Sequence, residues 1–541
     1  MRGRAPIWYR LTELLPGVLS WATLLLAVIL SWRLPAAVAV FIVLFDVYFL
    51  IRTIYLIYHL RRAFGAMRAN LKTDWLAELA KSDERRATSG PYSPLATPYS
   101  LSWHSIYHLI VLPMFHEPYE VVRESFESLL RTNYPKDKFL VVLALEERAG
   151  EPARQVGEQI AAKYGNQFGK FLITVHPAGL PDEIPGKGSN EAWATRAAIH
   201  ELVDPIIESS KWQVASSESP STRYSLLATP YSYDNFLVSV FDVDTQVPGG
   251  YFGRLTHAFL TAPDPMRAIY QPIPLFVNNI YDAPSLARVI SFSSTFWQMM
   301  QQARPERLTS FSSQSIPLRV LINVGYWERD VVAEDSRIFW QCLLHYDGQF
   351  RVIPLLYPVS MDVNAAPNFW QTLRNLYKQQ RRWAWGVEDV PYLLHGFTRN
   401  PRIPLRTKLH WALHNIEGFY AWATYSVLIF LLGWLPVLLG GRAFNDTLLS
   451  YNLPKVTQLI MSVTMIGIVT SMVLSLLLLP PRPKWFRVRY YLYYVVEWFL
   501  TPVVLILFGS VPAIEAQTRL MLGGRFRLGF WVTPKSRVSS E

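Results

Sequence analysis

The run FLVSVFDVDTQVPGG closes a stretch of apolar residues with two carboxylates, Asp242 and Asp244, just before a Pro-Gly-Gly turn. Side chains two apart on an extended strand share a side, so both acids are expected on one side of the strand end. Loops at the carboxyl ends of strands are where open parallel sheets bind ligands. Two oxygen ligands there suit Mg2+ or Mn2+, which takes few carboxylates and completes its shell with substrate phosphates. The plain alternative is chance, because two acids flanking one residue are common. A second acidic pair, Glu334-Asp335, opens the helix-like run EDSRIFWQCL. One carboxylate there can deprotonate an acceptor hydroxyl as a general base. It can equally be a charge favoured in the first turn of a helix. The run QTLRNLYKQQRRWAWG sets Gln379, Arg382 and Trp383 at i, i+3 and i+4, one face of a helix. Arginine grips pyrophosphate through paired donors, and tryptophan offers a flat surface to a sugar ring. The alternative is an amphipathic helix at a membrane surface, where both residue types are common.

Positioning such residues requires a rigid frame, and the chain supplies its pattern. Strand-like runs at 106–113, 138–145, 171–177, 236–244 and 351–359 alternate with helix-like runs at 118–132, 151–165 and 189–203. This alternation predicts an α/β fold with a mostly parallel sheet and helices on both faces. No stretch of about 20 apolar residues interrupts 107–400, so 105–400 is predicted as the soluble domain.

The flanks differ in kind. Residues 16–33 and 36–58 are apolar and lie between basic residues. The first alone resembles a signal peptide; the second, following at once and ending in Arg61-Arg62, makes a transmembrane hairpin within 1–60 the stronger reading. A polar linker is predicted over 61–104. Residues 417–440 and 455–480 suffice to span a bilayer, giving a region of two spans with an interfacial lead-in over 401–480. Segment 490–522 is apolar but holds Glu497, Pro502, Pro512 and Glu515. It is expected within 481–522 as interfacial or re-entrant helices rather than as one straight span. The short repeat YSPLATPYS (92–100) and YSLLATPYS (224–232) is read as surface loop.

Composition agrees with a mixed membrane and soluble chain. Of 541 residues, 51% are apolar or aromatic and 17% charged. The net charge of +11 comes from 52 basic and 41 acidic residues, with the basic ones clustered beside the apolar segments. That pattern points to anionic lipid head groups and a positive inner side; no nucleic-acid motif accompanies it, so nucleic acid is excluded as a partner. One cysteine, Cys342, excludes an intrachain disulfide and multi-thiolate zinc sites.

Taken in order, these motifs resemble the processive family-2 glycosyltransferases, the group of cellulose, chitin and hyaluronan synthases. The resemblance rests on HLIVLPMFHEPYE with His116-Glu117, on Glu146-Glu147 after VVLAL, and on Gly186-Lys187-Gly188-Ser189-Asn190. It continues through Asp242/Asp244, Glu334-Asp335 after Ala333, Gln379/Arg382/Trp383, and the tail FWVTPK (530–535). The resemblance implies a nucleotide-sugar-binding, Rossmann-like domain on the cytoplasmic side of the plasma membrane. It implies Mg2+ or Mn2+ on Asp242 and Asp244, and Asp335, beside Glu334, as base. It implies donor contacts from Glu117, Glu146, Glu147, Lys187, Arg382, Thr533 and Lys535, and acceptor contacts from Gln379 and Trp383. The tail would form a gating loop over the donor, within 523–541. The implied reaction moves a sugar, with inversion, from a nucleotide-sugar, UDP-sugar foremost, to a glycan or lipid-linked acceptor. The alternatives are a transferase that adds one sugar to a lipid carrier, and an inactive sugar-binding scaffold.

Overall fold

The structure, a computed structural model, describes residues 7–88, 101–216 and 230–534. Residues 92–100 and 224–229 of the repeat, and Lys535, lie outside them.

Seven strands form one sheet: β1 (Tyr107–Met114), β2 (Phe139–Glu146), β3 (Lys170–His176), β4 (Phe236–Val240), β5 (Ala268–Phe276), β6 (Ser315–Pro317) and β7 (Arg351–Met361). Their order is β3-β2-β1-β4-β6-β5-β7. β1 runs parallel to β2 and β4, β2 to β3, and β5 to β7. The three-residue β6 is antiparallel to both of its neighbours. All eight residues of β2 are buried, as expected of a strand covered on both faces. On one face, helices Tyr119–Arg131, Gly150–Tyr164 and Tyr251–Thr261 pack around Phe126, Phe139, Phe252 and Phe259. On the other, helices Lys187–Ala198 and Glu334–His345 contribute Ala194, Ala198, Ile338 and Cys342. The mostly parallel α/β sheet is therefore the fold, as the alternation predicts.

Two strands, β5 and the three-residue β6, escape the hydrophobic pattern. β5 carries Pro272 and Pro274, which lack ladder donors, yet it lies inside the sheet. Its register against β7 breaks between Gln271 and Ile273. There the Gln271 side chain replaces lost ladder bonds: Nε2 donates to the Ser312 carbonyl (2.9 Å), and Oε1 accepts from the Phe311 amide (3.0 Å). The segment 310–312 is thereby fixed beside the ends of β4 and β6.

Among the described residues four helices are long and apolar enough to cross a membrane: Ile7–Arg33, Pro35–Lys72, Leu448–Leu477 and Tyr490–Leu522. Helix Leu405–Leu432, which covers much of the expected span 417–440, is not among them; its first half carries Arg406, Lys408, His410, His414 and Glu417. The stretch expected as linker is largely helical instead. Helix Pro35–Lys72 runs through it, with Leu60, Ala63 and Met67 buried against Phe276 and its neighbours. Helix Trp75–Thr88 follows, with Trp75 and Leu79 in the domain core. These apolar residues, spaced at helical intervals among charged ones, are what the polar composition hid.

Segment 490–522 is one helical run rather than two pieces. Its prolines are accommodated by irregular turns: Pro502 follows the 3-10 turn Glu497–Leu500, and Pro512 follows the π turn Leu505–Ser510. Its two carboxylates meet arginines of the α/β domain. Glu497 pairs with Arg288 at 2.5 Å, and Glu515 with Arg381 at 2.7 Å. The run is thus tied to that domain near both ends.

Candidate active site

Lys187 opens helix Lys187–Ala198, and its ammonium lies among three carboxylates from three parts of the chain. Asp242 Oδ1 is at 2.8 Å, Glu191 Oε1 at 3.5 Å and Glu334 Oε1 at 3.6 Å. Burial works against the lysine's charge, but attraction from Asp242, then Glu191, Glu334 and Asp335, overcomes it and holds its pKa well above the usual value. One cation cannot balance so many acids. Burial, then repulsion from Asp335, pushes Glu334 up to about 7 against the pull of Lys187 and Arg382. Burial raises Glu191 too.

Backbone detail makes this convergence possible. A Cβ on Gly188 would stand 2.8 Å from the Glu334 Cβ, so only glycine lets the first turn of the Lys187 helix reach the start of the Glu334 helix. Asn190 donates to the Ala144 carbonyl of β2 (2.8 Å), fixing that turn on the sheet. Segment 310–312 joins the two acidic motifs. Ser312 Oγ donates to Asp242 Oδ2 (2.9 Å), and Ser310 Oγ to the Asp335 carbonyl (2.6 Å).

β4 ends at Val240, so Asp242 and Asp244 lie in a turn, closed by the Thr245 amide on the Asp242 carbonyl (2.8 Å), and not on a strand. Asp242 faces Lys187 and is partly exposed, whereas Asp244 is fully buried. Its Oδ2 accepts from the Asp362 amide at the end of β7 (2.9 Å). Among the described residues no three His, Cys, Asp or Glu side chains form a ready metal cage. The donor set is two carboxylates, which fits a divalent ion that shares its shell with bound phosphates.

The other predicted residues divide into two groups. Near the cluster stands helix Phe369–Ala384. Gln379 Oε1 accepts from Asn364 (3.2 Å), and Trp383 packs on Phe276 with ring centres 6.0 Å apart. The tail returns over this helix. The Phe530 ring lies 5.1 Å from the Arg382 guanidinium and covers Gly186, where a Cβ would meet it at 2.7 Å. Trp531 lies 5.2 Å from Lys378 Nζ, and Thr533 is buried. Phe530 thus spans the Lys187 turn and the Arg382 helix. By contrast, Glu117, Glu146 and Glu147 stand at and just beyond the ends of β1 and β2. Glu117 accepts from the Phe115 amide (2.7 Å), Glu146 pairs with Arg148, and Glu147 accepts from the Ala178 amide (2.8 Å).

Sequence reasoning missed Glu191, Ser310, Ser312 and Asp362. Glu191 stands four residues from Lys187, one helical turn, and that spacing is a usable signal. Asp362 follows a strand end, the position already used for Asp242. The serines carry no signal, because only the fold brings 310–312 to the cluster.

Behind the cluster, Glu388 accepts from the Val332 amide (3.2 Å) and from Trp385 Nε1 (3.0 Å). Burial pushes it up to about 7 from 4.5, with Arg337 working the other way. A carboxyl raised in this way binds more protons folded than unfolded between those values. Stability therefore falls as pH climbs from about 4.5 to 7 and levels off above, by on the order of 3 kcal/mol. Glu388→Gln removes this share. Its melting temperature is expected to fall less between pH 5 and pH 7.5 than that of the unmodified protein, measured side by side in one detergent.

Residues 237–509, just over half of the 541, match the family model for Glycosyl transferase family group 2. No curated protein sequence matches the chain. Among solved structures the chain is similar to the mannosyltransferase PcManGT from Pyrobaculum calidifontis, in complex with GDP-Man and Mn2+, at 12% identity and a TM-score of 0.35. That likeness covers 82% of this chain and 99% of the other. It is also similar to S. aureus TarS 1-349 in complex with UDP-GlcNAc, at 13% identity and a TM-score of 0.28, over 66% of this chain and 92% of that one. The matched region holds both acidic motifs and the Gln379–Trp383 face, and this chain belongs to glycosyl transferase family group 2 and is a glycosyltransferase.

Proposed function

We propose that the chain is a processive, inverting membrane glycosyltransferase that moves a sugar from a UDP-sugar to a glycan or lipid-linked acceptor at the cytoplasmic face. The observation that carries this reading is the convergence of Asp242 and Glu334, distant in sequence, within 3.6 Å of the Lys187 ammonium. Asp335 stands next in the chain and Arg382 lies within electrostatic reach of Glu334.

Asp335 accepts the proton of the acceptor hydroxyl as that oxygen bonds to the anomeric carbon. The bond from that carbon to the diphosphate oxygen breaks, and the nucleoside diphosphate leaves with the electron pair. One displacement inverts the configuration. Lys187 and Arg382 stabilise the charge gathering on the diphosphate. Asp242 and Asp244 would hold Mg2+ or Mn2+, which when bound neutralises the leaving group. Gln379 and Trp383 hold the acceptor; Glu117, Glu146 and Glu147 line the donor's nucleoside end, with Thr533 and Lys535 of the tail closing over it. Glu334, buried against Lys187, orients that lysine rather than acting as base.

The same reading gives a topology. Helices Ile7–Arg33 and Pro35–Lys72 form the first hairpin; the apolar second half of Leu405–Leu432, continued by Leu435–Leu439 to Gly440 beside Pro35, forms the second with Leu448–Leu477. Run Tyr490–Leu522, tied to the α/β domain through Glu497 and Glu515, lies along the interface, so the tail stays on the side of the active site.

Purified protein in detergent, given a panel of UDP- and GDP-sugars with Mg2+ or Mn2+, tests the reading. The expected outcome is turnover of a UDP-sugar, long products, and a loss of at least about 100-fold on adding EDTA. Products of one added sugar would remove processivity, and EDTA-resistant turnover would remove the metal.

A further inference from the structure

A second charged cluster lies behind the proposed base, buried and without a part in the chemistry above. Arg337, two residues after Asp335, is 5% exposed, and Asp389 is 2% exposed. Arg337 Nε donates to Asp389 Oδ1 (2.6 Å) and Nη1 to Glu328 Oε2 (2.6 Å). The guanidinium lies 4.0 Å from the centre of the Tyr392 ring. Ser336 Oγ donates to the other oxygen of Asp389 (2.7 Å). One carboxylate thus grips both residues that follow Asp335. On the preceding side, the Val332 amide is held by Glu388, which also holds the Trp385 indole.

These contacts join 332–337 to 385–389. The second stretch directly follows helix Phe369–Ala384, which presents Gln379, Arg382 and Trp383. A buried ion pair is a poor way to gain stability, because desolvation takes back most of the attraction. Its directed bonds are a good way to fix register, since a fork and a carboxylate meet in few geometries. Helical packing alone leaves a first turn free to shift, and a shift of about 1 Å between reacting groups can cost about 100-fold in rate.

We infer that Arg337 and Asp389, with Ser336, are positioning residues that hold Asp335 at a fixed place relative to the Arg382 helix. The inference rests on the proposed role of Asp335. Arg337→Lys keeps the charge but loses the planar fork; Ser336→Ala removes one hydroxyl from Asp389.

Both variants and Asp335→Asn are purified, quantified as folded protein by gel filtration and melting temperature, and assayed for kcat and donor KM. Arg337→Lys is expected to lower kcat per folded molecule by ten- to a hundredfold and Ser336→Ala by three- to tenfold. Donor KM should stay within twofold for both. A merely structural role would reduce the folded yield and leave kcat per folded molecule unchanged, and that result in Ser336→Ala overturns the inference even if Arg337→Lys does not fold. An inactive Asp335→Asn beside an Arg337→Lys of normal kcat defeats positioning alone. An active Asp335→Asn defeats the base assignment on which positioning stands.

Discussion

Asp335→Asn is expected to abolish sugar transfer, by about 10²- to 10⁴-fold, in a protein that folds normally and still binds its donor. The substitution is close to isosteric. Asp335 Oδ1 accepts from the Ser336 amide (2.9 Å) and an asparagine oxygen can do the same, while the Ser310 bond goes to the Asp335 backbone. What is lost is the capacity to take a proton. Glu334 cannot stand in for it. That side chain is 3% exposed and turned to Lys187 rather than to the open side of the site. Glu334→Gln should therefore act through Lys187, with a smaller fall in kcat. Initial rates for the two variants and a donor titration separate these outcomes; turnover retained by Asp335→Asn would take the base away from it.

Lys187→Met should damage both folding and activity. With the ammonium gone, Asp242, Glu191 and Glu334 face one another without their shared cation. Leaving buried charge without its partner costs about 3–5 kcal/mol, and several of these acids would respond by taking up protons. The melting temperature should fall steeply at pH 8 and less at pH 5.5, where the carboxyls protonate. Adding Glu191→Gln removes one of the crowded acids, so the double variant should recover much of the lost stability. It should recover no transfer, because the positive charge toward the diphosphate is still missing. Thermal melts at the two pH values with activity on the same samples make the comparison. Recovery of activity in the double variant would show that Lys187 serves the fold alone.

Much of the frame was legible because burial leaves a direct mark on sequence. The runs that became β1, β2 and β4 are nearly continuous in valine, leucine and isoleucine, as double-sided burial requires. β5 was not legible, because Pro272 and Pro274 deny the ladder bonds that define a strand, and Gln271 replaces them through a segment some 40 residues away. Helix Trp75–Thr88 was hidden by its charged residues, and its anchors Trp75 and Leu79 mean little until Tyr251–Thr261 is placed beneath them; a Cβ on Gly253 would meet Trp75 at 2.9 Å. The prolines and carboxylates of 490–522 marked an irregular segment, but only the folded chain revealed arginine partners for both acids.

Sequence by itself determined the residue types available for chemistry and the periodicities that build an α/β sheet beside apolar helices. Those follow from local rules: which side chains ionise, and which spacing puts them on one face. The tertiary structure decided which acids meet. Asp242 turned to Lys187 while Asp244 sank beneath Asp362, Glu191 joined the cluster without belonging to any expected motif, and Phe530 crossed from the far end of the chain to lie between Gly186 and Arg382. The reason is physical. The energy of a buried charge depends on distances between groups far apart along the backbone, and those distances exist only once the sheet has closed.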